Sequence, residues 1–164
     1  MRRLAFFAPL AAVLAVAATP ASAEPASVNV VIGGELVHTA DDLGRREVQQ
    51  QADYLAGVVT RTLERRRALD GATVDLVLTD LKPNRPTFEQ LVDRPGLDGI
   101  RSISIGGATI EGRITLADGQ TVPVRYEWYS SSLDEVRGFG TWNDAERAYH
   151  RLAANLVSGR FVRR

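Results

Sequence analysis

The stretch Ala108–Trp128, ATIEGRITLADGQTVPVRYEW, decides how this chain folds, because it contains two alternating apolar runs around one glycine turn. Ile110, Ile114 and Leu116 share a face of the first run, and Val122, Val124, Tyr126 and Trp128 share a face of the second. Alternation of this kind marks strands with one buried and one wet face. A two-residue Asp118-Gly119 turn would set Ile114 against Pro123 and Glu111 against Tyr126, pairing apolar with polar positions. A three-residue turn of Ala117, Asp118 and Gly119, with the glycine left-handed in the bulge position, sets Ile114 against Val122, Ile110 against Tyr126 and Ala108 against Trp128. It also sets Glu111 opposite Arg125 on the other face, where opposite charges favour the pairing. The sequence therefore predicts a bulged hairpin.

Working back from the hairpin, Thr73–Leu81 alternates in the same way, with Val74, Leu76 and Leu78 inward and Thr73, Asp75 and Thr79 outward. Before it, Val48, Ala52, Leu55, Val59 and Leu63 recur at helical spacing, which predicts one long helix capped by Asp41 or Asp42 and running to about Leu69. Gly71 stands where a left-handed C-cap belongs. Val28–Ile32, closed by Gly33 and Gly34, reads as a first strand. Paired glycines at Gly106 and Gly107, entering the hairpin, read as a bulge or tight bend.

After the hairpin, Thr141 with Asp144 makes a capping box for a last helix. Its apolar stripe is Ala145, Tyr149, Leu152 and Leu156, and Gly159 closes it. The order is strand, helix, strand, loop, strand, strand, helix. Each helix has a single apolar stripe, so the expected architecture is α+β: a mostly antiparallel sheet of about four strands with two long helices on one face.

The N-terminus carries a different kind of information. MRRLAFFAPLAAVLAVAATPASA has two arginines, an apolar run from Leu4 to Ala18, then Pro20 and the small residues Ala21, Ser22 and Ala23. That order is a secretory signal peptide over residues 1–23, followed by one domain over 24–164. The apolar run is shorter than the roughly 20 residues a membrane span requires, so no transmembrane segment is expected after cleavage. The chain has no cysteine, which excludes disulfides and a lipobox anchor. The expected localisation is periplasmic or secreted. Loss of Arg2 and Arg3 leaves 18 basic residues against 20 acidic ones of the full sequence. A surface so close to neutral argues against nucleic acid as a partner, since phosphate binding needs a basic excess. Local arginine clusters at 61–67 and 160–164 read as solvated faces, or alternatively as contacts for an anionic lipid or polymer.

The chain contains no GxSxG elbow, phosphate-binding glycine loop, HExxH helix or cysteine nucleophile, so no catalytic residue, cofactor or metal site is assigned. Two histidines exist. His150 falls about 130° from the centre of the last helix's apolar stripe, on the flank or in solvent. His38 stands near Asp41 and Asp42, a weak metal corner that helix capping explains as well.

The segment from Lys82 to Arg101 is far longer than the usual connection of about four to six residues. It holds two similar octets, NRPTFEQL (84–91) and DRPGLDGI (93–100). Proline presets a first helical turn, so Pro86–Val92 is a candidate short helix. On one reading these are turns that pack Phe88, Leu91 and Leu97 on the sheet edge while Arg85 and Arg94 bind loop carbonyls. On the other, Lys82, Arg85 and Arg94 form an anion or partner grip. A second patch gathers Trp128, Tyr129, Phe139 and Trp142; Phe139 and Trp142 are the members least explained by core packing. The candidate partner-binding residues are thus Lys82, Arg85, Arg94, Phe139 and Trp142.

At LTDLKPNRPTFEQL (78–91), RPGLD (94–98), SIGGA (104–108), YEWY (126–129) and GTWNDAERA (140–148), the chain resembles a group of uncharacterised exported, periplasmic proteins of Gram-negative bacteria. More loosely, its element order is similar to periplasmic accessory domains of envelope lipoproteins, such as those of curli secretion and peptidoglycan-synthase activation. The resemblance carries no catalytic residue with it and implies a non-enzymatic accessory or binding module for an envelope protein or polymer. The alternative is a small periplasmic enzyme or small-ligand carrier using His38 or His150.

Overall fold

The computed structural model describes residues 24–163; the signal-peptide reading falls on residues outside that range. Five strands form one sheet in sequential order: β1 (Ser27–Ile32), β2 (Thr73–Lys82), β3 (Gly107–Thr115), β4 (Thr121–Tyr129) and the two-residue β5 (Val162–Arg163). The two central pairings are antiparallel, and each edge strand runs parallel to its neighbour. The protein is α+β as expected, but its sheet is mixed. Parallel pairing of β1 with β2 requires a crossover, and the helical segment between them supplies it.

The hairpin has the register predicted from sequence. Ile114 faces Val122, Ile110 faces Tyr126, Ala108 faces Trp128 and Glu111 faces Arg125. Leu116 N–H donates to Gln120 O at 2.8 Å across the three-residue turn, and Gly119 takes φ 84°. The Glu111 carboxylate lies 3.6 Å from Arg125 Nε. A bulge does occur, but in β2 between Leu78 and Asp80 rather than at Gly106-Gly107. It lets Leu78 and Leu81 both point inward with Asp80 on the wet face.

The predicted long helix is two helices. Gly44, at φ 86°, separates α1 (Leu36–Leu43) from α2 (Arg45–Arg66). Asp41 and Asp42 therefore sit in the last turn of α1 and cap nothing; Asp41 instead pairs with Arg45 across the break. At the other end the C-cap is Arg67, four residues before the expected Gly71, which is left-handed at φ 74° but lies in the following turn. The predicted stripe is correct: Val48, Ala52, Leu55, Val59 and Leu63 are all buried.

The last helix, α4 (Asn143–Val157), buries Ala145, Tyr149, Leu152 and Leu156. Gly159 N–H donates to Leu156 O and Arg160 N–H to Asn155 O, the paired bonds of a Schellman stop. The Thr141 capping box is absent, for a reason given below. One hydrophobic cluster joins α1, α2 and α4 to the inward residues of the sheet, among them Leu76, Leu78, Ile110, Ile114 and Tyr126. Polar residues cover the opposite sheet face, where Asn29 donates to Asp75 and Arg113 lies 3.5 Å from it. Among the described residues no helix is long and apolar enough to cross a membrane.

Candidate functional site

The long segment after β2 is organised by one buried side chain, Asn84. Its backbone N–H donates to Thr141 O at 2.7 Å and its carbonyl accepts from Ser104 N–H at 2.9 Å. Its Oδ1 accepts from Asp144 N–H at 2.8 Å. Its Nδ2 donates to Asp144 Oδ2 at 2.6 Å and to Ser104 O at 3.2 Å. Asn84 thus caps the first turn of α4 from 60 positions away, which is why Thr141 does not. The fully buried Asp144 carboxylate also accepts from Ser130 Oγ and from Arg147 Nη1 at 3.0 Å. A buried carboxylate needs such a complement of donors.

The paired glycines belong to this packing. A Cβ at Gly106 would lie 2.7 Å from the Asn84 amide, and one at Gly107 would strike the Trp128 carbonyl. Close backbone approach is their reason, with no bulge.

Beyond Asn84 the segment forms α3 (Phe88–Asp93), started by a Thr87–Gln90 capping box. This is the short helix expected after Pro86, entered two residues later. Its apolar side chains do not pack on the sheet edge: Phe88 is 73% exposed, and Leu91 and Leu97 are exposed as well. Glu47 of α2 holds the start of α3 instead, accepting from Phe88 N–H at 3.0 Å and from the Trp142 indole at 3.1 Å. Asp98 closes the next turn. Backbone donors Arg101 N–H and, second, Ile100 N–H hold its carboxyl below the ordinary carboxylate value.

Lys82, Arg85 and Arg94 line one cavity of about 410 Å³, together with Pro83, Pro86, Gln90 and the wall Leu97, Ser102 to Ile105. The three cations are not equivalent. Arg94 is spent on the Asp42 carboxylate, to which Gln90 Nε2 also donates. Lys82 lies 3.9 Å from Asp80 and 5.0 Å from the centre of the Tyr129 ring. That phenol donates to Asp80 Oδ2 at 2.7 Å, and burial raises its pKa well above the usual value, so it remains a donor.

Arg85 differs from both. It is only 6% exposed, its Nη1 donates to Ile100 O, and among the described residues its Nε–H meets no acceptor. Among the described residues no carboxylate lies within ion-pair distance of it. The Phe139 ring lies over the guanidinium at 5.3 Å and is itself 83% exposed. Phe139 thus contacts Arg85 but does not line the cavity.

Trp142, the fifth candidate, belongs next door. It is nearly buried and lines a cleft of about 660 Å³ with Phe88, Glu47, Gln51 and Glu146, on the other side of α3. The remaining aromatic, Trp128, carries Arg151 at 4.3 Å and Arg147 at 5.3 Å over its ring. The aromatic patch expected from sequence is therefore divided among separate sites.

His38 and His150 are both exposed; His150 stands edge-on to Tyr54. Neither lines the cavities described above. Asp41 and Asp42 are taken by Arg45 and Arg94, and among the described residues no cluster of metal-ligand type occurs. The sequence reading missed Asn84 and Asp144, whose partnership joins distant segments. It is notable that the motifs LTDLKPNRPTFEQL, SIGGA, YEWY and GTWNDAERA supply Asn84, Gly106, Tyr129, Trp142 and Asp144, all at this end of the molecule. No protein-family model matches the chain, and no curated protein matches it.

Proposed function

We propose that this chain is a non-enzymatic binding module of the periplasm, which grips an anionic group of an envelope protein or polymer in the cavity of Lys82, Arg85 and Arg94. The observation that carries the reading is Arg85. Burying a guanidinium costs several kcal/mol unless it is paired, and proteins supply that pairing almost without exception. Here the partners are one carbonyl and an aromatic face, while Nε–H is left unmet. An anion entering the cavity would complete the set. A volume of about 410 Å³ lies in the range of small-ligand and side-chain pockets. The apolar wall of Leu97, Ile103 and Ile105, exposed by 37–46%, would lose its contact with water at the same time.

The reading is tested by photocrosslinking in intact cells from position 103, comparing the native sequence with Arg85→Ala combined with Arg94→Ala. The expected result is an adduct with an envelope component that disappears in the double variant and persists in Arg61→Ala, an exposed control on α2. An adduct indifferent to Arg85 and Arg94, or no adduct, contradicts the reading. No observation favours an enzyme built on His38 or His150, both of which lie in solvent.

A further inference from the structure

The chemistry of the occupant can be read more closely, on the basis of the anion-binding role just given. A guanidinium has two bidentate edges, and Arg85 has used Nη1 for Ile100 O. The edge formed by Nε and Nη2 makes no hydrogen bond among the described residues. Two parallel N–H donors in a plane match the two oxygens of a carboxylate. The charge agrees, because Arg94 and Lys82 already face Asp42 and Asp80, leaving one uncompensated cation at the cavity.

Part of the cavity wall is the loop that leads into β3. In the segment from Ser102 to Ile105, Ser104 turns its backbone to Asn84, with N–H and carbonyl both engaged there. Ile103 and Ile105 line the cavity as well, and among the described residues their backbone groups make no hydrogen bond. Unpaired N–H and C=O groups on an exposed segment can pair with the backbone of a second chain. An alkyl chain would leave those groups unused, whereas a peptide would pair with them.

We infer that the cavity takes the C-terminal carboxylate of an apolar peptide segment, bound in extended form along Ile103 and Ile105 with its carboxylate on the free edge of Arg85. The Phe139 ring lies over the face of the guanidinium and leaves its edges to other partners; the ring is exposed and stands between Gly138 and Gly140, so it can shift without opening the core.

The test is calorimetric titration of the purified protein with four probes: a pool of acetylated pentapeptides ending in Ala, Val, Leu or Phe with free carboxylates, the same pool as C-terminal amides, decanoate, and inorganic phosphate. The acid pool is expected to bind at least about 10-fold more tightly than the amide pool, the scale of one charge-assisted bidentate contact. Arg85→Gln removes that difference, Arg61→Gln keeps it, and the amide resonances of Ile103 and Ile105 shift on binding. Equal binding of acid and amide pools, or no binding of either, overturns the inference. If decanoate or phosphate binds in an Arg85-dependent way and the peptides do not, the peptide assignment falls while the anion-binding role stands. If no probe responds to Arg85→Gln and the in-cell adduct is also indifferent to it, both fall.

Discussion

Asn84 spends its backbone N–H, its carbonyl and both ends of its side chain on Ser104, Thr141 and Asp144, three residues from two other parts of the chain. Truncating it frees the first turn of α4 and removes a donor from the fully buried Asp144 carboxylate. Asn84→Ala should therefore cost about 2–4 kcal/mol of stability, well above the effect of an ordinary surface change, measured as a lower midpoint in urea unfolding. Gly106→Ala should act through the same contact, since its Cβ would meet the Asn84 amide. None of this was legible in the sequence. Asn84, Ser130 and Asp144 are ordinary turn and cap residues when read locally, and the network depends on which distant segments meet. The cations were legible for the opposite reason: Arg-Pro repeated in an unusually long connection is a local signal.

At the scale of elements, the parts with a strong local period were read correctly and the parts governed by breaks were not. The hairpin register followed from pairing apolar with apolar residues around a turn whose glycine has φ 84°. A Cβ at Gly119 meets nothing within 4 Å, so Gly119→Ala tests conformation alone and should cost about 1 kcal/mol by denaturant unfolding. Gly44 interrupts a helical pattern without disturbing its apolar stripe, which is why one helix was expected where α1 and α2 occur. Parallel pairing at the sheet edges has no signature in a single strand. The turn after α3 adds a pH dependence. Asp98 is stabilised as a carboxylate in the folded chain by Arg101 N–H and Ile100 N–H, so its folded pKa lies below the ordinary 3.8. Its contribution is present above pH 3.8 and is lost as pH falls through the lower folded value. The Ile100 and Arg101 amide resonances should stay unchanged from pH 7 to 5 and move toward random-coil positions only in stronger acid.

For the whole molecule, one end is built with complete hydrogen bonding around Asp144, and within the same loop a guanidinium is buried with an unmet donor. On the function proposed above, Arg85 is kept for a partner at a cost to the isolated fold. Its acceptor among the described residues, Ile100 O, belongs to a residue 74% exposed, so water can replace the guanidinium there. Arg85→Met keeps most of the volume and removes the unpaired charge. The decisive measurement is the stability of Arg85→Met by urea unfolding, made beside the in-cell adduct from position 103. The account predicts stability equal to or up to about 2 kcal/mol above the native sequence, with the adduct lost. A fall of several kcal/mol with the adduct retained would make Arg85 a structural residue and contradict it.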